Sequence, residues 1–129
     1  MDTILLVDDE RMFLRSLRIG LRSKGYRTIE AFGGPEALNR LDDPNTRIDM
    51  VITDYLMPHM DGITLLKKIR KKSKSIPVIM MTAFDEKALA IEAHSNQCDS
   101  FIGKPFTLNE LIAVIEEVKH RKSPSSNDL

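Results

Sequence analysis

Short, unbroken apolar runs alternate along this chain with longer amphipathic stretches, and that alternation narrows the fold more than any other feature. Ile4-Leu5-Leu6-Val7, Met50-Val51-Ile52-Thr53 and Val78-Ile79-Met80-Met81 are compact runs without polar alternation. Strands buried on both faces read this way, because a parallel sheet is covered by helices above and below. Two weaker runs, Tyr26 to Ala31 and Cys98 to Ile102, bring the expected strands to five.

The stretches between them carry helical periodicity. Phe13, Leu17, Gly20 and Leu21 share one face of a first helix, which Gly25 ends. Pro35, behind Gly33-Gly34, suits the first turn of a second helix with Ala37, Leu38 and Leu41 inward. Asp61-Gly62 opens a third, with Ile63, Leu66 and Ile69 facing the core. Asp85 is expected to cap a fourth, rich in small residues at Ala88, Ala90 and Ala93. Thr107 and Glu110 have capping-box spacing for a last helix, whose Leu108, Leu111, Ile112, Ile115 and Val118 make the clearest amphipathic stripe. Strand and helix thus alternate five times, which implies right-handed crossovers and an α/β fold with a parallel sheet.

A chain of 129 residues fits one compact domain, expected over residues 2–121. Residues 122–129, from Lys122 through Ser123-Pro124 to Leu129, lack an apolar pattern and read as a disordered tail or the start of a linker. Nineteen basic residues balance nineteen acidic ones, so nothing suggests general affinity for nucleic acid or an anionic membrane. No apolar stretch has the length of an export signal or a membrane span. The single cysteine, Cys98, permits no internal disulfide and fits a reducing, cytoplasmic location.

Ligands of an open parallel sheet bind outside the carboxyl ends of its strands. There the chain places Asp8-Asp9-Glu10 after the first run, Asp54 after the third, Thr82-Ala83 after the fourth and Lys104-Pro105 after the fifth. Two carboxylates about 4 Å apart repel by roughly 4 kcal/mol at an effective dielectric near 20. A hard divalent cation removes that conflict. Mg2+ suits a shallow site of this kind, because it takes one or two carboxylates and keeps room for phosphate oxygens. Lys104 offers a second positive charge, and metal and amine together would neutralise a phosphoryl group. A carboxylate can itself accept phosphate covalently, and Asp54, alone at the end of the central run, is the candidate nucleophile. Thr82 would hydrogen-bond a phosphoryl oxygen, with Ala83 leaving room for the donor.

At these residues the chain resembles the response-regulator receiver domain of two-component signalling, the family of bacterial chemotaxis regulators. The resemblance rests on Ile4 to Glu10, on Asp54-Tyr55-Leu56-Met57-Pro58 with Asp61-Gly62, on Thr82-Ala83, and on Lys104-Pro105-Phe106. It implies a flavodoxin-like, doubly wound sheet of five parallel strands in the order 2-1-3-4-5 with five helices. It implies phosphorylation of Asp54 by a histidine kinase or histidine phosphotransfer protein. Asp9, Asp54 and the backbone carbonyl of Leu56 would ligate Mg2+, with Asp8 reaching it mainly through water, and Lys104 would pair with the phosphoryl group. A cis Lys104-Pro105 bond is expected. Thr82 and Phe101 are the expected switch, coupling the site to the surface around the fourth helix and fifth strand. The output would be a downstream protein or a covalently linked domain rather than a released product, and the last two helices are the family's surface for a homodimer. One departure concerns Gln97-Cys98, where many members carry Gly-Ala; Asn96 is then expected to make the left-handed turn.

Simpler readings compete for several of these residues. Asp8 and Asp9 could merely cap the first helix, Phe101 could be plain core, and Lys67 to Lys74 read as a solubilising surface. Cys98 reads as a small buried hydrophobe, His59, His94 and His120 as surface histidines, and most of the seven methionines as core. Arg11, Arg15, Arg18 and Arg22 share a face of the first helix, either as a solvated face or as a means of steering an acidic partner. Three other functions stand beside the receiver reading. A phosphohydrolase of the haloacid-dehalogenase type would need a second acid two residues after Asp54, where Leu56 stands. A flavodoxin-like FMN module would need a Ser/Thr/Gly-rich loop where Asp8-Asp9-Glu10 stand. A degenerate receiver would bind partners without being phosphorylated, yet here all five site residues are kept.

Overall fold

The computed structural model describes residues 2–83 and 96–122, with side chains through residue 121. Its elements run β1 (Thr3–Val7), α1 (Arg11–Ser23), β2 (Arg27–Ala31), α2 (Gly34–Asp42), β3 (Met50–Asp54), α3 (Gly62–Lys72), β4 (Val78–Thr82), β5 (Ser100–Gly103) and α4 (Leu108–Lys122). The five strands form one parallel sheet in the order β2-β1-β3-β4-β5, as expected. Four helices fall among the described residues rather than the expected five. The expected helix with Asp85, Ala88, Ala90 and Ala93 lies outside them, as does the tail from Ser123 onward.

Strand periodicity sorts the unbroken runs onto two faces. Ile4, Leu6, Met50, Ile52, Ile79 and Met81 pack beneath α1 and α4 with Leu14, Leu17, Leu21, Leu111, Ile115 and Val118. Leu5, Val7, Val51, Val78 and Met80 pack on the other face with Ala37 of α2 and Ile63, Leu66 and Ile69 of α3. Both faces being covered is why these strands show no polar alternation.

The helix boundaries follow the local chemistry read from the sequence. Gly25, just past α1, takes a φ of 94°, a conformation open to glycine. Pro35 lies in the first turn of α2. The Asp61 carboxylate accepts the Thr64 N–H at 2.8 Å and caps α3. Thr107 and Glu110 bond reciprocally ahead of α4, at 2.8 and 3.1 Å, completing the capping box.

One expectation is corrected. The left-handed residue before β5 is Gln97, with a φ of 68°, and not Asn96. Its carbonyl accepts two N–H groups of Arg70, at 2.7 and 3.0 Å, and those bonds offset the strain of a side chain at that angle. The lysines of the Lys67–Lys74 stretch are exposed as expected, whereas Arg70 among them is buried. Cys98 is buried as expected, and burial pushes its thiol up to about 11. His59 and His120 are exposed, while His94 lies outside the described residues.

Candidate functional site

Parallel strands that end in register deliver their last residues to one edge. Asp8 directly follows β1, and its N–H continues the ladder to Ala31 at 3.2 Å. Asp54 is the last residue of β3, in register with Met81 of β4. Thr82 closes β4 opposite Gly103, and the next residue, Lys104, donates its N–H to the Thr82 carbonyl at 2.7 Å. The Lys104-Pro105 bond is cis, as the resemblance implied.

The side chains converge. Lys104 Nζ lies 2.8 Å from Asp8 Oδ2 and 3.3 Å from Asp54 Oδ1. Asp8, 1% exposed, also accepts the Glu10 N–H through Oδ1 at 2.9 Å. One oxygen each from Asp8, Asp9 and Asp54 lie within 4.8 Å of one another. Neither Asp8 nor Asp9 is the cap residue of α1: Glu10 holds that position, makes no side-chain cap bond, and donates its own N–H to the Asp8 carboxylate. Thr82 is buried at the same edge.

These positions impose an electrostatic conflict. Burial raises the Asp54 carboxyl above its usual range, and the neighbouring Asp8 charge adds to the rise, while Lys104 opposes both. For Lys104, burial would lower the amine, but its hydrogen bond to Asp8 and the charges of Asp54 and Asp8 outweigh burial and leave it raised. One ammonium faces three carboxylates, so the cluster carries excess negative charge. An all-oxygen donor set with that excess fits a hard divalent cation.

Phe101 is partly buried on the α3 side, packed against the cluster that contains Met80. It pairs with Met80 in register, two residues before Thr82 on the same face of β4. The expected switch pair therefore stands on adjacent strands and one face.

The arginine stripe of α1 is largely engaged within the chain. Arg22 donates to Thr28, Arg18 pairs with Glu30 at 3.2 Å, and Arg11 stacks on the Phe32 ring at 4.0 Å. These partners alternate along the edge strand β2 and just past it, so the stripe covers that edge. Arg15 is exposed.

Sequence reasoning missed two contributors. Arg70 makes five hydrogen bonds, three to Gln97 and Asp99 in the segment entering β5 and two to the Ser73 and Ile76 carbonyls that follow α3. The Phe13 ring lies under the Lys104 ammonium, with Nζ 4.2 Å from its centroid. Phe13 read as core, and only the fold could bring its ring beneath a lysine so distant in sequence. A concavity of about 720 Å³ at the opposite end of the sheet, lined by Arg22, Arg27, Arg47 and Asp49, is remote from the acids. Two of its arginines are already paired, with Thr28 and Asp49.

Comparison with known proteins agrees with this arrangement. A family model for the response regulator receiver domain matches residues 4–116. The response regulator MprA of a Mycobacterium species (strain KMS) is 35% identical over 121 residues, 94% of this chain and 52% of that protein. The chain thus spans about half the length of this relative. A response regulator receiver domain protein from Clostridium thermocellum superposes with a TM-score of 0.88 at 30% identity, covering 95% of this chain and 97% of that one. The response regulator TrrA from Thermotoga maritima, solved in complex with Mg(2+)-BeF, gives a TM-score of 0.82 at 30% identity, covering 92% of this chain and 99% of that one. With the strand order, the acid cluster and the family match in agreement, the chain belongs to the response regulator receiver domain family.

Proposed function

We propose that Asp54 accepts a phosphoryl group from a phosphohistidine on a histidine kinase or a histidine phosphotransfer protein. The observation that carries this reading is the Asp54 carboxylate 3.3 Å from the Lys104 ammonium and inside the same 4.8 Å cluster as Asp8 and Asp9. A carboxylate oxygen of Asp54 attacks phosphorus, and the phosphorus–nitrogen bond to the donor imidazole breaks. The electron pair returns to the imidazole nitrogen, and an aspartyl phosphate forms on Asp54. Lys104 can turn one N–H from Asp54 to a phosphoryl oxygen, and the Thr82 hydroxyl would donate to another. Water later hydrolyses the acyl phosphate and restores the carboxylate.

Asp8, Asp9, Asp54 and the Leu56 carbonyl would hold Mg2+, in keeping with the oxygen donor set and with the Mg(2+)-BeF complex of TrrA. When bound, the ion supplies charge neutralisation for carboxylates and phosphate alike. It is this chain's own residues that orient the nucleophile and donate to the transferred group.

The output is a change of shape and partner. Drawing the Thr82 hydroxyl toward phosphate would free space on its face of the sheet, and Phe101, on that face, would turn inward. The surface offered to the phosphodonor is α1, where Met12 is 72% and Ile19 60% exposed with Arg15 between them. Met12 departs from the core role expected for most methionines, and Leu56, 54% exposed, adds an apolar contact beside the acids. Downstream, the partner is a separate protein or a linked output domain, with no direct contact to nucleic acid. A second copy would dock through the last helices. No helix among the described residues is long and apolar enough to cross a membrane, and we place the reaction in the cytoplasm.

The deciding experiment compares the protein with Asp54→Asn, using acetyl phosphate or beryllofluoride with Mg2+. Intact mass should show one added phosphoryl group on the parent only, and beryllofluoride should shift amide resonances around Thr82 and Phe101 in the parent only. Equal responses from both proteins would remove Asp54 from the chemistry.

A further inference from the structure

Lysine is a flexible, strongly hydrated point charge, and holding it in one place costs rotamer entropy. At this site something must steady the Lys104 ammonium while leaving an N–H for the incoming group. Asp8 and Asp54 attract it, but each takes a donor hydrogen, at 2.8 and 3.3 Å. The Phe13 ring, 4.2 Å from Nζ at its centroid, attracts the cation through its face and accepts no conventional hydrogen bond. The ring is itself held. Its neighbour Phe106 meets it at 5.9 Å with an interplanar angle of 79°, an edge-on contact, and both pack against the α1–α4 core. Phe106 follows Lys104-Pro105 directly, so the segment that carries the lysine also braces the ring beneath it.

Resting on the phosphoacceptor reading above, we infer that Phe13 is a positioning residue for phosphoryl binding: its ring face holds the Lys104 ammonium where a phosphoryl oxygen is received. The competing view is that Phe13 only fills space, because it also packs against the core. The two views separate on electronics. Fluorine on the ring weakens its negative face with little change of shape, so a packing role is indifferent to fluorination and a cation–π role is not.

The experiment uses the full chain with Phe13 replaced by phenylalanine carrying one, two or three ring fluorines, together with Phe13→Leu and Phe13→Trp. The dissociation constant of beryllofluoride is measured at fixed Mg2+, with Mg2+ affinity and thermal melting recorded for each protein. Stepwise weakening with each fluorine is expected, reaching between about 2- and 30-fold, the range such contacts span. Phe13→Leu should resemble the most fluorinated ring, Phe13→Trp should retain the affinity of the parent, and Mg2+ affinity should stay level across the fluorinated series. In the metal-free parent the Lys104 ε-methylene protons should be shifted upfield by the ring current and return to ordinary values in Phe13→Leu. If the parent binds beryllofluoride and the fluorinated series binds it equally well, the inference falls and the phosphoacceptor reading stands. If the parent does not bind it at all, both fall.

Discussion

Arg70→Met removes a buried cation from the centre of a hydrogen-bonded clamp, and its effect can be worked from the structure. The Arg70 and Asp99 side chains are 8% and 11% exposed, and Nη2 lies 3.1 Å from Oδ2. The same guanidinium bonds the carbonyls of Ser73 and Ile76 at 3.2 and 2.7 Å, and that of Gln97 twice, at 3.0 and 2.7 Å. Removing one partner of a buried ion pair leaves the other uncompensated, which typically destabilises by about 3–5 kcal/mol. Three carbonyls also lose their donor. Asp99 keeps the Val78 N–H at 2.7 Å, which places the expected loss toward the lower part of that range. With a urea slope of about 2 kcal/mol per molar, the unfolding midpoint should fall by roughly 1.5–2 M. Asp99→Asn added to Arg70→Met should recover part of the loss, because the buried charge that Arg70 balanced is gone. The loss should also spread to the site, since the clamp grips the segment that enters β5 and leads to Phe101 and Lys104. A midpoint shift below about 0.5 M, roughly 1 kcal/mol at the same slope, would refute the reasoning, because the clamp would then contribute no more than an exposed pair.

The remaining predictions concern the acid edge and its supports. Asp54 has a raised carboxyl, so its contribution to stability is fully present below the ordinary carboxylate value of about 4 and is lost as pH rises through its folded value. Without Mg2+, Asp54→Asn should therefore be more stable than the parent at pH 7, by a margin that shrinks on acidification in urea melts; a margin independent of pH would contradict this. Gly62→Ala should destabilise by about 1–3 kcal/mol, since a Cβ there would meet the Asp54 carbonyl at 2.5 Å and Met80 Sδ at 2.6 Å. Gly25→Ala, with nothing within 4 Å but a φ of +94°, should lose only the backbone term of about 1–2 kcal/mol on denaturant melting. Gln97→Gly should leave stability level or raise it by up to about 1 kcal/mol, relief of a left-handed side chain being partly offset by glycine's entropy. A clear loss on denaturant melting would show that the Gln97 side chain holds the turn.

Much of this fold was legible from residue order alone, because its signals are local. Unbroken apolar runs require cover on both faces, Gly25 and Asp61 mark helix ends, and Thr107 with Glu110 announces α4. The candidate site was legible for a related reason. In a parallel sheet the residue after each strand reaches one edge whatever the loops do, so Asp8, Asp54, Thr82 and Lys104 could be collected without coordinates.

What escaped that reading depends on contacts distant in sequence. Arg70 looks like one more cation in a basic run, and only the packing of α3 beside the segment entering β5 buries it. Asn96 is the natural left-handed residue by propensity, yet the turn falls one residue later, at Gln97, whose carbonyl Arg70 holds. The arginines of α1 share a face at helical spacing, but whether that face meets water or the edge strand is decided by how α1 lies on the sheet. Sequence by itself determined the sheet, its crossovers and the set of groups at its edge, since each follows from periodicity and strand ends. Tertiary structure alone decided which of those groups touch, and so the balance of charge at Asp54 and the ring beneath Lys104, because distance in space and removal from water are set by packing rather than by order along the chain.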